Sequence, residues 1–128
     1  MTPNKQKIGK QSRKDGYDAE SKAVLFLRLK GYSILERNFK PPRGTGAGEI
    51  DIIAKKHHVI IFIEVKKRNS FEAAAEAVNE KVQARRIRGA EYFLMLHPEL
   101  AEKEMRFDVI LMSSGHLPKH IQNAFMCL

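Results

Sequence analysis

The most constraining stretch of the chain is Val59-Ile60-Ile61-Phe62-Ile63, five consecutive apolar residues followed at once by Glu64-Val65-Lys66. A short run rich in β-branched side chains and bounded by polar residues predicts a strand buried on both faces, and so one in the middle of a sheet. The period of two sets Phe62, Glu64 and Lys66 on one face and Ile61, Ile63 and Val65 on the other. An acid and a base therefore point together from the end of a strand that is otherwise apolar.

This run is the longest of its kind and falls far short of the roughly 20 residues that cross a bilayer, so no membrane association is expected. The N-terminal MTPNKQKIGKQSRK is basic and lacks the apolar stretch of a secretory signal. The single cysteine, Cys127, can form no internal disulfide, which suits a reducing compartment. These features together predict a cytoplasmic protein. Residues 1–14 carry five basic side chains and no acid, which predicts a flexible arm ahead of one domain over 15–128. A chain of 128 residues has room for one core and no second domain.

Helical spacing runs from Gly16 to Lys30, with Ala23, Val24 and Leu27 on one stripe and Gly31 as the stop. Strands are predicted over 32–39, 48–55, 59–66, 105–112 and 119–125, with a loop over 41–48 and a hairpin turn at Lys56 to His58. One long helix is predicted over about 72–96, with Ala84, Ile87, Ala90 and Leu94 as its core stripe. The order α-β-β-β-α-β-β predicts an α/β domain whose mixed central sheet is flanked by helices.

Three acids stand where solvent is not expected. Glu20 falls within the apolar stripe of the first helix, and Asp51 lies among Ile50, Ile52 and Ile53. Glu64 ends the central strand. A buried ionised carboxylate without a partner costs several kcal/mol, so each acid needs a cation, a proton or a metal. If Asp51 sits beside Glu64 on the neighbouring strand of the hairpin, the two carboxylates and Lys66 converge at one rim of the sheet. Oxygen donors without His or Cys suit Mg²⁺ or Mn²⁺. Such an ion stabilises charge on a phosphate, and Lys66 orients or deprotonates the attacking water. An exposed ion pair at a strand end accounts for Glu64 and Lys66 taken alone. Asp51, placed 13 residues upstream, and Glu20 tip the balance toward a hydrolytic site.

Asp51 followed by Glu64-Val65-Lys66 resembles the signature of PD-(D/E)XK nucleases, with the proline of that name absent. RKDGYDAE (13–20) is similar to the start of archaeal Holliday-junction resolvases, a resemblance that implies a metal-site role for Glu20. The stretches GYDAE, LKGYSILERNF, GEIDIIA, FIEVKKR, RFDVI and HIQNAF resemble the YraN-like family of uncharacterised bacterial proteins. Together they cover almost everything from Gly16 to Phe125. The resemblance implies a restriction-endonuclease-like fold more firmly than an activity. Between Asn38 and Gly48 the chain is several residues longer than the family pattern, and Arg43 in this glycine-rich loop is a candidate phosphate contact.

Lys and Arg outnumber Asp and Glu by 23 to 15, a net charge of +8 that attracts polyanions. Lys81, Arg85 and Arg88 share a separate helix face, and Lys67 and Arg68 follow the strand, so these five and Arg43 are the expected nucleic-acid contacts. Glu49 shares the Asp51 strand face and is the one additional acid read as a candidate ligand, and Asp108 is read as a structural partner of Arg106 or Lys103 ahead of a role supporting the site from behind. His57 and His58 are read as surface residues. The expected activity is Mg²⁺- or Mn²⁺-dependent hydrolysis of phosphodiesters, with DNA ahead of RNA and branched or other non-duplex structures as substrates. A homodimer would let two sites cut two strands. The alternative is a noncatalytic nucleic-acid-binding module on the same fold, and a third reading is a scaffold that acts through protein contacts.

Overall fold

The structure, a computed structural model, describes residues 18–126. The basic segment 1–14, Gly16 and Cys127 lie outside the described residues. Helix α1 covers 18–29 of them and ends in a Schellman motif. Gly31 takes a φ of 91° that a side chain would strain, the Gly31 N–H donates to Arg28 O, and the Tyr32 N–H donates to Leu27 O.

Five strands follow the expected plan: β1 (Ser33–Phe39), β2 (Ile50–Lys56), β3 (Val59–Lys67), β4 (Glu104–Met112) and β5 (Lys119–Phe125). They lie in one sheet in chain order, β1-β2-β3-β4-β5. Every neighbouring pair is antiparallel except β3 and β4, which run parallel from Val59↔Glu104 to Lys67↔Met112. A parallel pair needs a crossover, and helices α2 (Phe71–Glu76) and α3 (Glu80–Leu96) supply it. The apolar run is the middle strand, and its alternation feeds two cores. Ile60 and Phe62 pack with Ala90 and Phe93 of α3, whereas Ile61 and Ile63 pack with Ala23, Val24 and Leu27 of α1. The result is an α/β domain of mixed sheet and flanking helices, as the sequence order predicts.

Two helix expectations need correction. The single helix expected over 72–96 is broken at 77–79, because the Asn79 side chain accepts the Val82 N–H and starts α3 afresh, while Ser70 caps α2 through the Ala73 N–H. The core-facing stripe of α3 holds at Ile87, Ala90 and Leu94, which are buried in or packed against the core, but not at Ala84, and it is wider than expected. Ala84 is exposed, and the buried positions are Gly89, Ala90 and Phe93, in line with half-buried Val82 and Arg86. Gly89 is required at the closest approach, since a Cβ there would overlap the carbonyl oxygen of Gly48. The same contact pins the end of the 41–48 loop, whose Gly48 N–H donates to Arg85 O at 2.8 Å. Among the described residues, no helix is long and apolar enough to cross a membrane.

Candidate active site

The β2–β3 ladder pairs Lys56 with Val59 and ends at Ile52 opposite Ile63. At Asp51 the strict alternation of β2 breaks, for Ile50 and Ile53 join the core under α3 while Ile52 and Ala54 join the one under α1. The diverging strands leave the N–H of Val65 without a ladder partner on β2, and Asp51 Oδ2 accepts it at 2.8 Å. Asp51 is thereby fixed beside the Glu64-Val65-Lys66 segment. Burial, followed by repulsion from Glu64, pushes the Asp51 carboxyl up to about 7, even though the Val65 hydrogen bond and Arg86 oppose the shift. Glu20 adds a smaller repulsion. The Asp51 carboxyl thus senses both of the acids expected to gather with it.

Glu64 is only 3% exposed and is held by two cations. Lys66, two residues along the same strand face, places Nζ 3.1 Å from Glu64 Oε1. From α3, Arg86 donates through Nε to Oε2 at 2.5 Å and through Nη2 to Oε1 at 3.2 Å. Burial opposes the Arg86 charge, yet the bond to Glu64 and the fields of Glu64, Asp51 and Glu49 outweigh it and raise its pKa. This two-pronged geometry is the strong form of a carboxylate–guanidinium contact. Sequence reasoning missed Arg86, because it sought an apolar stripe and a separate basic face. The signal was present as Val82, Arg86, Gly89, Ala90 and Phe93 at helical spacing, with a cation in mid-stripe that demands a buried acid opposite.

Glu20 is placed less centrally than expected. Its Oε1 accepts Arg37 Nε at 3.3 Å and Asn38 Nδ2 at 2.9 Å, and Arg37 also donates to Ser21 Oγ. Asn38 reaches it from a positive φ of 53°, which asparagine tolerates better than most residues. Glu49 is exposed and precedes β2, although its charge still reaches Arg86. Among the described residues, no group of three or more His, Cys, Asp or Glu side chains is gathered as a metal cage. What the fold brings together is the pair Asp51 and Glu64, flanked by Lys66 and Arg86, with Glu20 at the periphery.

Residues 19–112, from α1 to the end of β4, match the model of the uncharacterised protein family UPF0102. The chain belongs to UPF0102. It is 47% identical over 110 residues to a UPF0102 protein of Bradyrhizobium sp. strain BTAi1, covering 86% of this chain and 78% of the relative. It is 41% identical over 114 residues to one from Paramagnetospirillum magneticum, covering 89% and 88%. A third, from Rhodopseudomonas palustris strain BisA53, is 46% identical over 110 residues and covers 86% and 82%. The YraN-like family expected from the motifs is this one, and the PD-(D/E)XK placement is consistent with it. The matched span includes Glu20, Asp51, Glu64, Lys66 and Arg86.

The expected nucleic-acid contacts of this UPF0102 member divide between the two sides of the sheet. Lys81, Arg85 and Arg88 are exposed on α3, and Arg43 is exposed in the loop that Gly48 pins to that helix. Arg68 is exposed just after β3, whereas Lys67, one residue beyond Lys66, lines a groove beside α1. His57 and His58 are exposed in the β2–β3 turn.

Asp108 is the hub of a separate network and takes no part in this site. It is fully buried and accepts Arg106 Nε at 2.8 Å, Arg106 Nη2 at 2.9 Å and the Asn123 N–H at 2.9 Å. His120 Nε2 lies 2.8 Å from Asp108 Oδ2, and its Nδ1 lies 2.7 Å from Lys30 Nζ. Burial alone would raise the Asp108 carboxyl, but hydrogen bonds from His120, Arg106 and Asn123 hold it below the usual carboxylate range. The structural role expected for Asp108 fits this arrangement, with Arg106 as partner. His120 was not anticipated, since nothing in KHIQNAF signals that its side chain turns inward.

Proposed function

We propose that this chain is a metal-dependent nuclease that hydrolyses phosphodiester bonds in DNA, with branched or otherwise non-duplex structures as its substrates. The observation that carries the reading is half-buried Asp51 next to buried Glu64, with Lys66 beside them and the Asp51 carboxyl pushed up to about 7. Glu64 is neutralised by Lys66 and Arg86, but the Asp51 carboxyl beside it is desolvated and repelled, and a hard divalent cation relieves both effects together. An all-oxygen donor set fits Mg²⁺ or Mn²⁺, with Asp51 and Glu64 as ligands and Glu20 steering from the edge. Bound there, the cation supplies positive charge for the scissile phosphate and acidity for the attacking water.

The chain's own residues do the remainder. Val65 fixes the Asp51 carboxylate through its N–H, and Arg86 fixes that of Glu64. Lys66 reaches past Glu64 to orient the water or to carry a proton. Arg43, Arg68, Lys81, Arg85 and Arg88 supply phosphate contacts, and Lys67 adds charge from the far side of the strand end. The noncatalytic binding module remains the second reading, favoured by one observation. Both Glu64 oxygens already hold cationic partners, and an ion must compete with Arg86.

The test is cleavage of labelled single-stranded, duplex, flap, four-way-junction and RNA substrates with Mg²⁺ or Mn²⁺, by wild type and a Glu64→Gln/Lys66→Ala variant. Cleavage by wild type alone supports the nuclease and identifies its substrate. Binding without cleavage by either protein transfers the conclusion to the binding module.

A further inference from the structure

On the α1 side of the sheet, opposite Glu64 and Arg86, a groove of about 540 Å³ runs between α1 and the β4–β5 connection at 113–118. Its floor is Phe26 and Met112. Its walls expose three leucines, Leu25 at 59%, Leu29 at 79% and Leu117 at 86%. Lys22, Leu25, Phe26 and Leu29 recur on α1 at helical spacing, so this outward face is apolar where a solvated helix would be polar. An isolated exposed leucine needs no explanation, whereas three around one concavity mark an interaction site. Among the described residues, the charged and titratable groups of the lining are Lys22, Lys67 and His116, with no Asp or Glu.

We propose that this groove docks an acidic, aliphatic peptide segment of a partner protein. Charge complementarity selects the occupant: a cationic rim around an aliphatic trough matches a segment in which Asp or Glu flanks Leu, Ile, Val or Phe. Single-stranded nucleic acid fits less well, because its bases need aromatic faces to stack on. Among the described residues, Phe26 is the one aromatic ring of the lining besides the His116 imidazole, and it already contacts His120 edge-on and carries Lys30 Nζ 5.0 Å from its centroid. His116 packs against Phe71. A second copy of the chain would set Lys22 and Lys67 against the same residues across a two-fold axis, which opposes self-association. Residues 1–14 of this chain carry five basic groups and no acid, and so share the sign of the rim.

Lys66 and Lys67 are consecutive on β3 and face opposite sides, the first toward Glu64 and the second into the groove. A partner seated in the groove would lie against the same strand end as the carboxylates without covering them. The docking surface stands whether or not the chain cuts nucleic acid.

The experiment is fluorescence anisotropy with the full chain and fluorescein-labelled peptides in which Leu and Phe are spaced with Asp and Glu, in one helical and one alternating pattern. Controls replace every acid by Lys, or every Leu and Phe by Ser. Saturable binding of an acidic, apolar peptide is expected, weakened at least about tenfold by Leu25→Ser/Leu29→Ser and by Lys22→Glu. Melting temperatures report that the variants fold, and oligothymidylate binding is expected to be unchanged in them. Four outcomes overturn the proposal: no saturable binding of either pattern, equal binding of the Ser-substituted peptide, loss of oligothymidylate binding in the leucine variant, or a wild-type dimer that the leucine variant abolishes.

Discussion

Asp51 Oδ2 accepts the backbone N–H of Val65, the residue between Glu64 and Lys66, at 2.8 Å. A side chain thus takes the place of a ladder bond where β2 and β3 separate, and that substitution brings half-buried Asp51 close to buried Glu64. The arrangement costs stability, because the Asp51 carboxyl rises from 3.8 to about 7 on folding.

The sign of the resulting pH dependence follows from linkage. Between 3.8 and about 7 the unfolded chain has lost a proton that the native chain retains, so stability declines as pH rises through that window and levels off above it. Asp51→Asn keeps an acceptor for Val65 and removes the titration. In metal-free buffer the melting temperature of Asp51→Asn, relative to wild type, is expected to climb across the window. A constant difference at all pH values contradicts the assigned shift.

Mn²⁺ or Mg²⁺ added above pH 7 is expected to raise the melting temperature of wild type by mass action on the native state. The same titration is expected to leave Asp51→Asn and Glu64→Gln unmoved. A normal response in Asp51→Asn removes that residue from the ligand set.

Arg86→Ala leaves buried Glu64 with Lys66 alone. Loss of a charged hydrogen-bonding partner is expected to cost about 1.5–3 kcal/mol in chemical denaturation. Arg86→Lys restores charge but loses the fork and should recover only part of it. Full recovery by lysine would show that the two-point geometry is immaterial.

Arg106→Ala is expected to destabilise by about 3 kcal/mol, since Asp108 is fully buried and loses its guanidinium partner. The depressed Asp108 carboxyl contributes stability above 3.8 that is lost as pH falls below it, and Asp108→Asn should flatten that acid limb. Metal response and any cleavage should survive in Arg106→Ala at temperatures where it is folded. Their loss would tie the hub to the site.

Gly89→Ala reverses the usual ranking. In an open helix alanine is favoured by about 1 kcal/mol. Here its Cβ would overlap Gly48 O, a backbone atom with little freedom to yield. A lower melting temperature is expected, together with weaker nucleic-acid binding as the 41–48 loop lifts from α3. A stabilised Gly89→Ala would mean that the loop is not pinned there.

The strands were legible because Val59 to Ile63 admits little but a central β-strand, and alternation carried Glu64 and Lys66 onto one face. Asp51 was legible as a misplaced acid among isoleucines, though not the break in alternation that turns it toward Val65. The crossover was harder to read. Residues 72–96 are almost uniformly helix-forming, so the break at 77–79 depends on Asn79 capping a new helix, a local competition that composition does not display. The inner face of α3 was legible at Ile87, Ala90 and Leu94 but not in full, because it also contains a glycine and an arginine that owe their places to partners, Gly48 and Glu64, far away in sequence.

The antiparallel β2–β3 turn and the parallel β3–β4 pairing also imply an order of assembly. The hairpin closes across Lys56 and Val59, whereas Val59 meets Glu104 only after the crossover has been laid down. Short closures precede long ones because they lose less chain entropy. Asp51 and Glu64 belong to the short closure and Arg86 to the long one, so the hairpin alone suffices to set the two carboxyls side by side, and the guanidinium that holds Glu64 comes from the crossover.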